Sequence, residues 1–223
     1  MRYYKILLPF SLLSSACLSA QVNPTDSIRT KDIVFDKVEV EAAYPGGDQA
    51  WKTYLMKNLN PDVPVENGAP LGLYTVVTKF IVSQDGTLAD IQAETNMGYG
   101  MEKEVIRIIK NSGKWQPARQ NGKTVNAYRR QPVSFITEED GFEIYSKNKY
   151  FLFAGIDNEI TVNIKKVKSA DIKLSISKGS ITPAGDGGFI ARINETGRVV
   201  ITAFSIRNDK ELGKVSFEVR AQK

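Results

Sequence analysis

One change of pattern constrains this chain more than any other feature: the spacing of its apolar residues switches near Thr137–Gly141. Before that point, runs with helical spacing alternate with runs of strand spacing. After it, only short strand-like runs follow, each closed by turn residues. A period of 3.6 presents one apolar face on a helix, and a period of 2 does so on a strand. The chain therefore reads as an α+β domain followed by an all-β domain, and 223 residues suffice for two small cores.

In the first part, Ile33–Val40 alternates apolar and polar residues with one irregular step and reads as a strand. Pro45-Gly46-Gly47 breaks it, and Asp48 is expected to cap a helix in which Trp51, Tyr54, Leu55 and Leu59 share one face. Asn60-Pro61 ends that helix, and a loop follows to Gly72. Leu73–Val82 is a long strand, Gln84-Asp85-Gly86 a tight hairpin turn, and Leu88–Thr95 its partner strand. Met101–Asn111 is a second helix, with Met101, Val105, Ile108 and Ile109 on its apolar face and Gly113 at its end. Asn121-Gly122 is a second turn signal before a strand over Thr124–Ile136. The expected domain, residues 33–136, is a two-layer one: two helices on one face of an antiparallel sheet.

The polar, acidic stretch after Ile136 reads as a linker over residues 137–148. Seven short strands are then expected: Tyr150–Phe153, Ile160–Ile164, Ile172–Ile176, Gly179–Thr182, Gly188–Ile193, Arg198–Ser205 and Lys214–Arg220. That number of short strands, with no convincing helix, argues for an immunoglobulin-like β-sandwich over residues 149–223.

The start of the chain reads as a signal peptide over residues 1–20. Arg2 and Lys5 precede an apolar run from Ile6 to Leu13, small residues follow, and the cut is expected after Ala20. The alternatives are lipidation at Cys17, whose preceding leucine sits one place too far away, and retention as an anchor, for which the run is short. Residues 21–32 read as a flexible lead.

Inventory removes whole classes of chemistry. The chain has no histidine and one cysteine, Cys17, so histidine-based triads and His- or Cys-based zinc sites are excluded. No metal or cofactor is expected, and no small-molecule substrate is evident. The net charge of +5 falls to +3 without Arg2 and Lys5, and the basic residues are spread along the chain, which argues against nucleic acid. A carboxylate hydrolase would have to use Asp85 and Asp90, or the run Glu138, Glu139 and Asp140. A turn role for Asp85 and a solvated linker for the run explain these better. The expectation is a non-enzyme.

Several segments together resemble the C-terminal domain of TonB in its Bacteroidetes form. They are Ala43-Tyr44-Pro45-Gly46-Gly47, Tyr54-Leu55 with Asn58-Leu59, and Phe80-Ile81-Val82 leading to Asp85-Gly86. They continue with Gly98-Tyr99-Gly100-Met101-Glu102, Lys114-Trp115-Gln116-Pro117-Ala118 and Gln120-Asn121-Gly122-Lys123. For Tyr44, Pro45, Gly46, Gly47, Asp85, Gly86, Trp115, Pro117, Asn121 and Gly122, a fold-specifying role is the expectation. A second resemblance lies in Leu152-Phe153-Ala154-Gly155-Ile156-Asp157-Asn158, Ser177-Lys178-Gly179-Ser180-Ile181 and Gly197-Arg198-Val199-Val200-Ile201. These are similar to an immunoglobulin-like module of GldM and PorM, periplasmic parts of the type IX secretion and gliding apparatus.

The TonB resemblance implies a periplasmic binding mode. Such domains capture an extended segment of an outer-membrane TonB-dependent receptor as an added strand, a β-augmentation. The corresponding strand here carries Val125, Ala127, Tyr128, Arg129 and Arg130. The two arginines are read either as attractors of an acidic partner or as guards of the sheet edge. A full TonB joins its domain to a membrane helix by a long Pro-rich spacer, whereas here only the lead separates the signal-like start from the domain. The expectation is therefore capture without transmission of force, with receptors or other envelope proteins as partners. Strand-swapped homodimers are a further expectation for exposed sheet edges. The alternative is a structural component of a GldM/PorM-type apparatus.

Overall fold

The computed structural model describes residues 33–185 and 187–222. The expected signal peptide with its cut after Ala20, the lipidation alternative at Cys17 and the lead over residues 21–32 lie outside the described residues. Among the described residues, no helix is long and apolar enough to cross a membrane. The chain is mostly strand and divides into two compact units, residues 33–63 with 75–134, and residues 64–74 with 135–222.

In the first unit, β1 (Val34–Phe35) precedes α1 (Gly47–Asn58). The strand expected over Ile33–Val40 is thus two residues long; Val40 and Ala43 form only isolated bridges, to Arg119 and Gln116. Gly46, with φ +84°, is the N-cap of α1, and no side chain caps it, so Asp48 lies in the first turn and is not the cap. A carboxylate there still faces the positive end of the helix. β2 (Leu71–Val82) turns at Ser83–Thr87 into β3 (Leu88–Ala93). Gly86 holds φ +83° where the turn closes, and its N–H donates to Ser83 O at 2.8 Å. α3 (Met101–Lys110) follows, then the hairpin of β4 (Ala118–Gln120) and β5 (Lys123–Thr137). A short helix α2 (Val63–Glu66), all but its first residue in the second unit, stands in the stretch read as a loop.

The strand order in this unit is β1-β5-β2, with β3 on β2 and β4 on β5. β1 runs parallel to β5, against the expected all-antiparallel sheet. No hairpin joins these two strands, so the turn geometry that forces antiparallel pairing elsewhere does not act on them. Asn121 and Gly122, both at positive φ, form the two-residue turn between the paired Gln120 and Lys123.

The core of this unit is aromatic. Trp115 is 3% exposed and meets Phe80 edge-on at 5.1 Å and Trp51 at 5.4 Å, while Tyr44 lies 5.3 Å from Trp51. The Trp115 indole N–H donates to Ser112 Oγ at 2.8 Å. Val105, Ile108 and Ile109 of α3 are fully buried, as the helical spacing requires. Glu104 on the same helix is also buried. It accepts the Asn60 backbone N–H at 2.7 Å and two Arg107 N–H groups at 2.7 Å, while Arg107 also donates to Asn58 O. The pair therefore serves the polar groups at the end of α1. Burial pushes the Glu104 carboxyl pKa up, but the Arg107 and Asn60 hydrogen bonds outweigh it, and the net shift is downward.

The second unit begins with β6 (Phe142–Ser146), which occupies part of the stretch read as linker. Phe142, Ile144 and Ser146 alternate inward, so this segment has the period of a half-buried strand. The seven expected strands follow as β7 (Phe151–Phe153), β8 (Asp157–Ile164), β9 (Ile172–Ile176), β10 (Ser180–Pro183), β11 (Phe189–Arg192), β12 (Gly197–Ser205) and β13 (Glu211–Arg220). One sheet has the order β10-β11-β8-β6. The other holds β13, β12 and β9, with β7 and Leu71–Gly72 paired in parallel to β13. Leu152, Ile201, Phe217 and Val219 from one sheet meet Ile144, Ile160, Phe189 and Ala191 from the other in a single sandwich-like core.

Two polar side chains stitch this unit. Asn158, 7% exposed, accepts the Phe153 N–H at 2.8 Å and donates to Phe153, Ile156 and Ala191 carbonyls. Arg198 lies over the Tyr74 ring and donates to Leu73 O and Ser216 Oγ, each at 3.0 Å.

Candidate functional site

The sequence points to the strand now defined as β5, and its composition explains its shape. Over Asn126–Val133 the side chains alternate. Ala127, Gln131 and Val133 are buried and Arg129 is half-buried, while Asn126, Tyr128 and Pro132 are half-buried and Arg130 is exposed. Pro132 carries no N–H and so interrupts the ladder on one side of the strand. Among the described residues, the neighbours of β5 are β2, β4 and β1. β4 covers Lys123–Val125, and β1 pairs Val34 with Asn126 and Phe35 with Ala127.

Arg129 and Arg130 are adjacent, so their side chains leave opposite faces of the strand. They do not form one basic patch. Arg129 lies 3.6 Å from Glu41. Arg130 bridges two acids, Asp36 at 3.3 Å and Glu94 at 2.9 Å. Tyr128 carries the Lys79 ammonium 3.8 Å above its ring. Asn126 accepts the Gln84 backbone N–H at 3.0 Å. Val125 sits opposite Ala118 in the hairpin. Of the five residues expected to bind a partner strand, the structure thus places Ala127 directly beside β1 and Arg130 on the acid that follows β1. Asp36, Glu41, Glu94 and Lys79 were not singled out from the sequence. Their contacts join residues far apart in the chain, and no local spacing reports such pairs.

The motif residues fall outside this edge. Tyr44 and Trp115 belong to the aromatic core. Gly46 and Gly47 open α1, Pro45 lies exposed before them, and Pro117 leads into β4. Asp85 accepts the Thr87 hydroxyl at 2.7 Å and backbone N–H at 3.1 Å, with Lys114 at 3.3 Å. The hydroxyl first, then the amide, hold its carboxyl at about 2. A carboxyl so tied into its own turn is a poor proton donor at neutral pH. Asp90 accepts from the Gln92 amide, and Glu138 from the Tyr150 hydroxyl. Among the described residues, no group of three or more acids or cysteines is arranged to hold a metal ion.

Comparison with known proteins finds similarity in two stretches of the chain. No curated protein matches the chain. Both matched families are non-catalytic, and together they mark an envelope protein-interaction module. Residues 75–137 match the Gram-negative bacterial TonB protein C-terminal family and residues 142–220 match the GldM third domain, the two resemblances carried by the sequence and in the same order.

Proposed function

We propose that this protein is an exported, non-enzymatic module of the periplasm that captures extended segments of other envelope proteins by adding them as a strand to β5. The observation that carries the proposal is the contrast in length between β5, 15 residues, and β1, the 2-residue strand that ends the sheet order beside it. Backbone hydrogen bonds along such a strand supply affinity, and alternate side chains supply selectivity. TonB-dependent receptors are the partner class, on the strength of the family match to residues 75–137. In this reading the first unit is a two-layer α+β domain, the second an immunoglobulin-type sandwich, and residues 1–20 a signal peptide.

The match of residues 142–220 to the GldM third domain favours a second reading, an accessory of a secretion or gliding apparatus. One capture experiment separates the two. The full chain is immobilised, solubilised envelope is presented, and bound proteins are identified after crosslinking. Ala127→Pro and Arg130→Glu serve as matched baits once circular dichroism shows that they fold. Receptors that bind the native bait and are lost from both variants support strand capture. Apparatus proteins that bind all three baits equally support the second reading and overturn the first.

A further inference from the structure

The segment that lies against β5 is itself an extended peptide. Val34 and Phe35 pair in parallel with Asn126 and Ala127, and the next residue, Asp36, reaches Arg130 at 3.3 Å. Both apolar side chains are half-buried. Beyond Asp36 the chain passes from β5 to β4: Glu39 accepts the Asn121 N–H at 3.0 Å, Val40 and Arg119 exchange backbone hydrogen bonds, and Glu41 lies 3.6 Å from Arg129. The hold of Val34–Asp36 itself on β5 is small, two residue pairs and one exposed ion pair, and the residues from Glu39 onward are anchored separately. An exposed pair of this kind is among the weakest contacts in a protein. Arg130 keeps a second acid, Glu94, at 2.9 Å when Asp36 departs, so opening does not strand its charge.

We propose that Val34–Asp36 is a displaceable internal strap that occupies part of the capture edge, and that its pattern describes the partner: an extended segment running parallel to β5, with two apolar residues followed by a carboxylate. This rests on the capture reading above and specifies its ligand. The partner's apolar pair replaces Val34 and Phe35, and its carboxylate replaces Asp36 at Arg130. A closed strap lowers apparent affinity by the fraction of molecules that are open, so a strap closed about ten to one weakens capture about tenfold.

The test uses the full chain and a fluorescent peptide copying residues 31–38, read by anisotropy. Three proteins are compared: the native chain, Val34→Pro/Phe35→Pro, which removes the backbone N–H of both strap residues and so whichever of them faces β5, and Asp36→Ala. The last changes one exposed side chain and leaves the fold intact even if the double variant does not fold. The expected result is peptide binding about tenfold tighter to the double variant and severalfold tighter to Asp36→Ala. A peptide with lysine in place of its Asp36 position should lose that gain. Equal affinity for all three proteins, or no binding to any, overturns the strap. If receptor segments bind the native chain and Asp36→Ala alike, the strap fails while capture stands. If the strap peptide binds the opened chain and no receptor segment does, the strap stands and capture by receptors fails.

Discussion

Replacing Trp115 tests the central claim about how the first unit holds together. The side chain is 3% exposed, meets Phe80, Trp51 and Tyr44, and donates its indole N–H to Ser112. Trp115→Ala removes the ring contacts and leaves a cavity too enclosed to collapse fully, at a cost of about 3–5 kcal/mol. Trp115→Phe keeps an aromatic ring beside Phe80 but deletes the donor, at a cost of about 1–2 kcal/mol; Ser112 still donates to Ile109 O at 2.7 Å. Against a total stability of about 5–15 kcal/mol, the first change is severe and the second is tolerated. Urea unfolding followed by far-UV circular dichroism and tryptophan fluorescence measures both. The chain has two tryptophans, Trp51 and Trp115, so fluorescence in either variant reports Trp51 alone, inside the same cluster. A Trp115→Ala stability within about 0.5 kcal/mol of the native chain, the range of an ordinary surface change, would refute the assignment of this cluster as the core.

Three further outcomes are expected. Glu104→Gln should destabilise the chain at neutral pH. Because the native carboxyl is held below its unfolded value of about 4.3, its contribution is present above that pH and fades as pH falls below it; the gap between variant and native should narrow in acid urea titrations. Asn158→Ala, which deletes one acceptor and three donor bonds inside the second unit, should cost about 2–4 kcal/mol by urea unfolding. Gly86→Ala should cost more than the roughly 1 kcal/mol of positive φ alone, because its new Cβ would stand 2.3 Å from Trp115 O; thermal melts would show this.

The periodic parts of the fold were legible. All seven short strands expected after residue 148 are present; β8, β11 and β12 alternate inward and outward, and turn residues bound the rest. β6 was equally periodic, but the acidic run before it drew the whole stretch into a linker. The strand expected over Ile33–Val40 shrank to Val34–Phe35, since alternation shows which residues face inward and not whether a neighbouring strand lies alongside. Asp48 failed as a cap because Gly46 at φ +84° begins the helix without a side-chain bond. At the candidate site, the strand itself could be read, but Arg129 and Arg130 were read as one pair although they leave opposite faces. Their acids could not be read, because Glu41, Asp36 and Glu94 reach them only through the folded register.

The edge of β5 illustrates why that register matters for function. A long edge strand invites uncontrolled pairing, and proteins blunt it with proline, charge or a covering segment. Here all three act within a few residues: Pro132 removes one donor, Arg130 holds two acids, and β1 covers Asn126 and Ala127. A covering strand of ordinary length would have closed the edge far more firmly, at about 5–6 residue pairs instead of two. Two pairs give cover that a better-matched extended segment can outcompete, because each additional residue pair on the incoming strand adds backbone bonds that β1 does not make. On the proposed reading, the shortness of β1 is the feature that makes protection and capture compatible on one strand.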